Sequence, residues 1–220
     1  KGTADDPIII DSAEELNYLA LYTNPNTTTE KHYKIADNID AIILQSEAVV
    51  AALGGAGKIM NLTSAAAVNT YFTDMQTAGY TPANWITTNI GNQFNGSFDG
   101  NGIKIYGMYA VATAGANSAQ SAALFPVIDA GGSAANTEVE TDFVGVIYKD
   151  IAIRNSYISS TRRIGALAAC SYGTNYGGKV NGTINVEGIE VSNCYMRSTS
   201  TTEMETGLLL GTTATDLVNI

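Results

Sequence analysis

An all-β fold, a parallel β-helix with an N-terminal capping helix and a partly helical insertion, is what this sequence predicts, on three observations. First, two inward apolar residues followed by Gly or Asn recur at Ile103-Lys104-Ile105-Tyr106-Gly107, Ile151-Ala152-Ile153-Arg154-Asn155, Ile189-Glu190-Val191-Ser192-Asn193 and, less completely, Thr215-Asp216-Leu217-Val218-Asn219. Second, another element alternates with them: Ala122-Ala123-Leu124-Phe125, Gly165-Ala166-Leu167-Ala168 and Gly207-Leu208-Leu209-Leu210. Third, the spacing between copies is irregular, which a coiled chain tolerates because repeat insertions emerge as loops outside its core. Equivalent strands stacked about 4.8 Å apart bond to the layers above and below and turn every second side chain inward. An Asn at each corner can take the left-handed conformation a bend requires, the role expected of Asn155, Asn193 and Asn219.

The elements follow in chain order. Pro7-Ile8-Ile9-Ile10 is a short β-prone run, and Ser12 and Glu15 stand at capping-box spacing ahead of a helix over 13–22 whose apolar face is Leu16, Leu19 and Ala20. Asn24-Pro25-Asn26 stops it, and Tyr33-Lys34-Ile35-Ala36 alternates as a strand. Glu47 to Leu53 and Ser64 to Gln76 are Ala-rich and read as helices around the flexible Gly54-Gly55-Ala56-Gly57, although a long loop is the alternative. From residue 90 the character is β. The expected organisation is a cap and first strands over 1–45, an insertion over 46–83, and repeats over 84–220 within one continuous domain.

The stretch FNGSFDGNGIKIYGM, Phe94 to Met108, is the one most like a ligand loop. A phosphate-binding loop leads from a strand into a helix N-terminus. Here it leads into Ile103-Lys104-Ile105, another strand, so Asp99, Gly100, Asn101 and Gly102 are expected to form a tight corner.

Composition narrows the function. With 220 residues and 45% hydrophobic content the chain can bury one large core. Its formal charge of -10 repels nucleic-acid phosphates and anionic membrane surfaces. No apolar run approaches the roughly eighteen residues of a membrane span, and no signal peptide is visible in KGTADDPIII. Only 15% of residues are charged while Thr, Ser, Asn, Gly, Ala and Tyr abound, a texture associated with secreted and cell-surface proteins. Cys170 and Cys194 lack metal spacing; they read as small buried residues or as a disulfide between neighbouring layers.

Chemistry-bearing constellations are sparse. Glycan cleavage needs paired carboxylates, or a base with charge-neutralising cations. Asp99, Asp129, Asp150, Glu187 and Asp216 are scattered near turns, and Arg162-Arg163 is the only basic pair, so no catalytic residue is assigned and a polysaccharide lyase or hydrolase stays the enzymatic alternative. No cofactor is expected; calcium is a candidate at Asp37-Asn38-Ile39-Asp40 or at Glu138, Glu140 and Asp142. His32, the single histidine, has no nucleophile beside it. Tyr106, Tyr109, Tyr148, Tyr157, Tyr172, Tyr176 and Tyr195 recur near corners and outward positions, and tyrosine suits binding surfaces and sugar stacking. It is equally a favoured sheet residue.

The stretches PIIIDSAEELNYLALYTN, YKIADNIDA, ANWITTNIGNQFNGSFDGNGIKIYGM, ALFPVI and GIEVSNCYM occur in an order that resembles the right-handed β-helix surface proteins of bacteria with GLUG-type repeats, an adhesin-like group. The resemblance covers about 7–45 and 84–220; residues 46–83 replace a short link, and Ala122-Ala123-Leu124 and Gly165-Ala166-Leu167 stand where Gly-Gly-Leu is expected. It implies export and a place at the cell surface or in the extracellular matrix, with other subunits, surface or matrix components, or a glycan as partners. It brings no catalytic residues. Gly207 to Leu210 and Leu217 to Ile220 read as strands without a following cap, so either the natural chain continues beyond Ile220 or another subunit covers that end by head-to-tail self-association.

Overall fold

The computed structural model describes residues 1–21, 31–85, 94–113, 121–129, 146–172, 184–199, 205–213 and 217–218. In chain order the elements are β1 (Ile8–Ile10), α1 (Ala13–Leu21), β2 (Lys31–Ile35), β3 (Ala41–Ile43), α2 (Glu47–Ala52), α3 (Ala56–Met60), α4 (Ala65–Thr77), β4 (Phe94–Tyr106), β5 (Tyr109–Ala112), β6 (Ser121–Ala122), β7 (Phe125–Asp129), β8 (Val146–Arg154), β9 (Tyr157–Ser160), β10 (Arg163–Ile164), β11 (Ala168–Tyr172), β12 (Ile184–Ser192), β13 (Tyr195–Ser198), β14 (Glu205–Thr206), β15 (Leu210–Thr213) and β16 (Leu217–Val218).

These elements overturn the all-β parallel β-helix expected from the repeats. The described strands divide among separate parallel sheets, one of ten strands and two of three, and four helices accompany them. The architecture is a mixed α and β one. Repeats in a sequence report which residues stack on which, and any set of parallel ladders yields that pattern; they do not report how the sheets are joined. The ten-stranded sheet runs β15-β11-β7-β4-β8-β12-β16, with β2 and β3 beside β4 and β1 beside β2. The smaller sheets are β14-β10-β6 and β13-β9-β5.

Register decides which repeats are equivalent. Ile103, Ile151 and Ile189 pair in one row, and Ile105, Ile153 and Val191 in the next but one. Phe125, Ala168 and Leu210 pair likewise. The fourth copy does not belong: Leu217 and Val218 pair with Ile184 and Asn185, at the start of β12 rather than its end. Asn219, expected at a corner, lies outside the described residues.

Alternation along each strand fills the core. Phe98, Ile103 and Ile105 of β4 and Tyr148, Ile151 and Ile153 of β8 are buried, while Lys104, Lys149 and Asp150 face outward or lie at the rim. Phe94 stacks on Phe125 with ring centres 4.7 Å apart, and Phe98 meets Phe125 edge-on at 5.3 Å. Each such ring contributes about 1.5–3 kcal/mol by leaving water. Trp85 closes this core: its indole Nε1 donates to the Leu124 carbonyl (2.9 Å) and its backbone N–H to that of Tyr109 (2.7 Å). Helix α1 lays Leu16 and Leu19 on the same cluster. Ser12 Oγ accepts from Glu15 N–H, but Glu15 returns the bond to Asp11 N–H, one residue before the cap.

The insertion holds three helices. Ser46 and Ser64 cap α2 and α4, their hydroxyls accepting from Val49 and Ala67 N–H. The glycine stretch expected to be flexible contributes α3. Ile59, Val68, Tyr71, Phe72 and Met75 form a second buried cluster, and Tyr109, Tyr157 and Tyr195 pack against it. No helix among the described residues is long and apolar enough to cross a membrane.

Candidate functional site

The residues 99–102 do not form a tight corner. They lie inside the continuous strand β4, where the register slips between Asp99 and Ile103. Asp99 pairs with Lys149 and Ile103 with Ile151, so Gly100, Asn101 and Gly102 together oppose the single Asp150, which is a bulge. Only Asn101 (φ 54) and Gly102 (φ 80) of the four take left-handed angles. Asp150 (φ 56) and Gly188 (φ 58) carry the bend into β8 and β12.

That bend floors an open groove of about 450 Å³ lined by charged side chains. Register sets opposite charges side by side along it. Lys34 pairs with Asp99 and Asp99 with Lys149, and beyond the groove's lining Lys149 pairs with Glu187, a row alternating in sign across four strands. Lys149 Nζ lies 3.0 Å from Asp99 Oδ2. This bond holds the ammonium pKa above its ordinary value, partly offset by desolvation. Lys34 Nζ donates to Asp37 Oδ1 at 2.8 Å, and Asn101 Nδ2 donates to the same oxygen at 2.9 Å. Both bonds lower the Asp37 carboxyl. Asp37, a calcium candidate, is thus already engaged by a cation and an amide. Arg154 pairs with Glu190 and holds that carboxyl below its usual range.

This chemistry suits binding better than cleavage. A glycosidase needs one carboxyl kept protonated, usually by burial or a neighbouring anion. Arg154 pushes Glu190 the other way, and Lys149 is stabilised as a cation rather than released as a base. No group of three His, Cys, Asp or Glu among the described residues could hold a metal ion. Glu138, Glu140, Asp142, Asp216 and Tyr176 lie outside the described residues, as does the side chain of Tyr172. Arg162 and Arg163 both contact Glu205, tying β10 to β14. Neither Cys170 nor Cys194 is in a disulfide, and burial pushes the Cys194 thiol up to about 11.

The tyrosines expected at an outer binding face are placed otherwise. Tyr148 is 0% exposed, within ring-contact distance of Phe94 and Phe125, because its row is an inward one. Tyr106 is buried as well. Tyr109, Tyr157 and Tyr195 do stack as a column, with centres 5.1 and 4.9 Å apart, but helix α4 covers it through Phe72. Sequence spacing shows which side chains share a face; it does not show that a distant insertion lies on that face.

Asn155 and Asn193 occupy the left-handed region at φ 52 and 53. Their side chains reach past the sheet to the insertion. Asn155 Nδ2 donates to the carbonyls of Ile59 (2.8 Å) and Met60 (3.0 Å), and Asn193 Nδ2 to that of Leu62 (3.1 Å), satisfying the end of α3. Gly107, next in the row, leaves room for Ile59, which a β-carbon there would strike. Asn155→Ala should therefore cost about 2–3 kcal/mol, the sum of two hydrogen bonds and left-handed strain. Asn155→Gly should recover only the backbone part, and urea unfolding of both variants measures the split.

Comparison with models of protein families, with curated proteins and with solved structures finds no match for this chain. The groove and the end of the strand stack must therefore be read from their own chemistry.

Proposed function

We propose that this chain is an extracellular or cell-surface module acting in adhesion or as a structural subunit of an extracellular assembly, joined to further copies through its strand edges. The observation that carries this is an open apolar layer. Ile151, Ile153, Ile158 and Leu167 are buried, whereas Ile189, Val191, Met196 and Leu209, one layer on, are only partly buried. Leu208 beside them is 64% exposed. Among the described residues β13 pairs with β9. At the opposite end, again among the described residues, β1 pairs with β2, and Ile9 is exposed.

Partly exposed apolar side chains at the margin of a sheet favour addition of another strand. A head-to-tail contact between unlike ends does not close on itself and so yields filaments. The neutral polar composition, rich in Thr, Ser and Asn, fits an extracellular setting, as does the resemblance to adhesin-like surface proteins.

The test is light scattering with electron microscopy over a wide concentration range, on the unaltered chain and on Leu208→Lys, at the exposed apolar side chain of that layer. Lysine at an edge blocks pairing. The unaltered chain should assemble and the variant should stay monomeric with an unchanged melting temperature. A monodisperse monomer at every concentration, without filaments, refutes the reading.

A further inference from the structure

We infer that the groove over the strand bend is a binding site for a neutral, hydroxyl-rich ligand, an uncharged oligosaccharide by chemical class. This goes beyond the assembly reading, since the groove shares no residue with the apolar layer that supports it.

Its lining sets cations Lys34 and Lys149 against anions Asp99, Asp150 and Glu190, with the Asn101 amide among them. Two cations against three anions leave the lining a net charge of -1, too weak a single-sign field to draw in a polyanion or a polycation. Along Lys34, Asp99 and Lys149 donors and acceptors alternate because adjacent strands, about 4.8 Å apart, carry opposite charges in one row. An ammonium only donates and a carboxylate only accepts. A hydroxyl does both, so a chain of hydroxyls satisfies either neighbour at each step without needing charge of its own. A singly charged ligand meets a like charge at every second position.

The floor permits close approach. Gly102 brings backbone to the surface at the bend, with nothing within 4 Å of where a β-carbon would lie. Ala152 keeps the wall beside it low. The volume falls within the roughly 300–1,000 Å³ of small-ligand sites. The bond to Asp99 stabilises Lys149 as a cation and the bond to Arg154 stabilises Glu190 as an anion, so these two charges of the lining persist around neutral pH.

The experiment is a titration of the full chain with cello-, malto- and chito-oligosaccharides, with oligogalacturonate and a cationic oligolysine as charged probes, followed by NMR amide shifts. At least one neutral series should bind, moving Asn101, Gly102, Asp150 and Gly188. Ala152→Trp, which fills the groove from an outward position, should weaken binding at least about tenfold with an unchanged melting temperature. Asp150→Asn keeps a residue tolerant of the left-handed angle and serves if the bulkier variant unfolds; it too should weaken binding. Binding of a charged probe alone overturns the ligand class. Absence of binding across the neutral panel, or binding untouched by a folded groove variant, overturns the site. Filament assembly that persists in Ala152→Trp separates this result from the fate of the assembly reading.

Discussion

Phe72→Ala should release the helical insertion from the sheets while leaving the sheets folded. Phe72 is buried in the second cluster and touches three aromatic neighbours: Tyr71 at 5.5 Å, Tyr109 at 5.1 Å and Tyr157 at 5.9 Å between ring centres. Truncating a buried phenylalanine costs about 3–5 kcal/mol in transfer and cavity terms. A three-helix excursion has little stability to set against such a loss, because short helices depend on packing rather than propensity. Two probes separate the outcomes. Trp85, the single tryptophan, sits in the main cluster and reports the sheets, whereas amide exchange in α4 reports the insertion. Lost protection in α4 with native tryptophan emission is the expected result; simultaneous loss of both signals would show one cooperative unit instead.

Gly100→Val should be the more damaging of two neighbouring glycine replacements. A β-carbon at Gly100 would run into the Asp150 carbonyl oxygen and lie 2.6 Å from Ile151 Cγ1, with backbone on one side and core on the other. Overpacking of this kind costs about 3 kcal/mol. Gly102 has the positive φ but nothing within 4 Å of such a β-carbon. Gly102→Val therefore carries strain alone, about 1–2 kcal/mol, and Gly102→Asn should carry less, since asparagine visits this region routinely. Thermal melts of the three variants should rank them in that order. A Gly102→Val protein less stable than Gly100→Val would place the demand on backbone angle rather than on space.

These two sites illustrate what was legible in the sequence. Alternation at Ile103 and Ile105, at Ile151 and Ile153, and at Ile189 and Val191 marked inward rows, and register joins them as layers. Short polar residues able to bend left-handed marked Asn155 and Asn193. The copy ending at Asn219 misled because a pair of apolar residues looks alike at either end of a nine-residue strand, and only pairing shows which end it joins. The fold class misled for a related reason: the Ala-rich segments carry a separate cluster, and the ladders fall into distinct sheets. The groove was invisible because Lys34, Asp99 and Lys149 come together only through strand pairing. No spacing along the chain announces them.

Gln45 gives the insertion a further meaning. Its Nε2 donates to the Ala83 carbonyl at 3.1 Å and its Oε1 accepts from Ala83 N–H at 2.8 Å, while Nε2 also reaches the Gly107 carbonyl at 3.0 Å. The chain departs from the sheets and returns to them through one amide side chain, so departure and return points are fastened together whatever runs between them. The entropy of closing a flexible excursion rises only by about 0.6 kcal/mol for each doubling of its length. Extra length within residues 46–82 thus falls at little expense to the sheets wherever it leaves in place the carbonyls that Asn155 and Asn193 hold and the side chains that cover the tyrosine column.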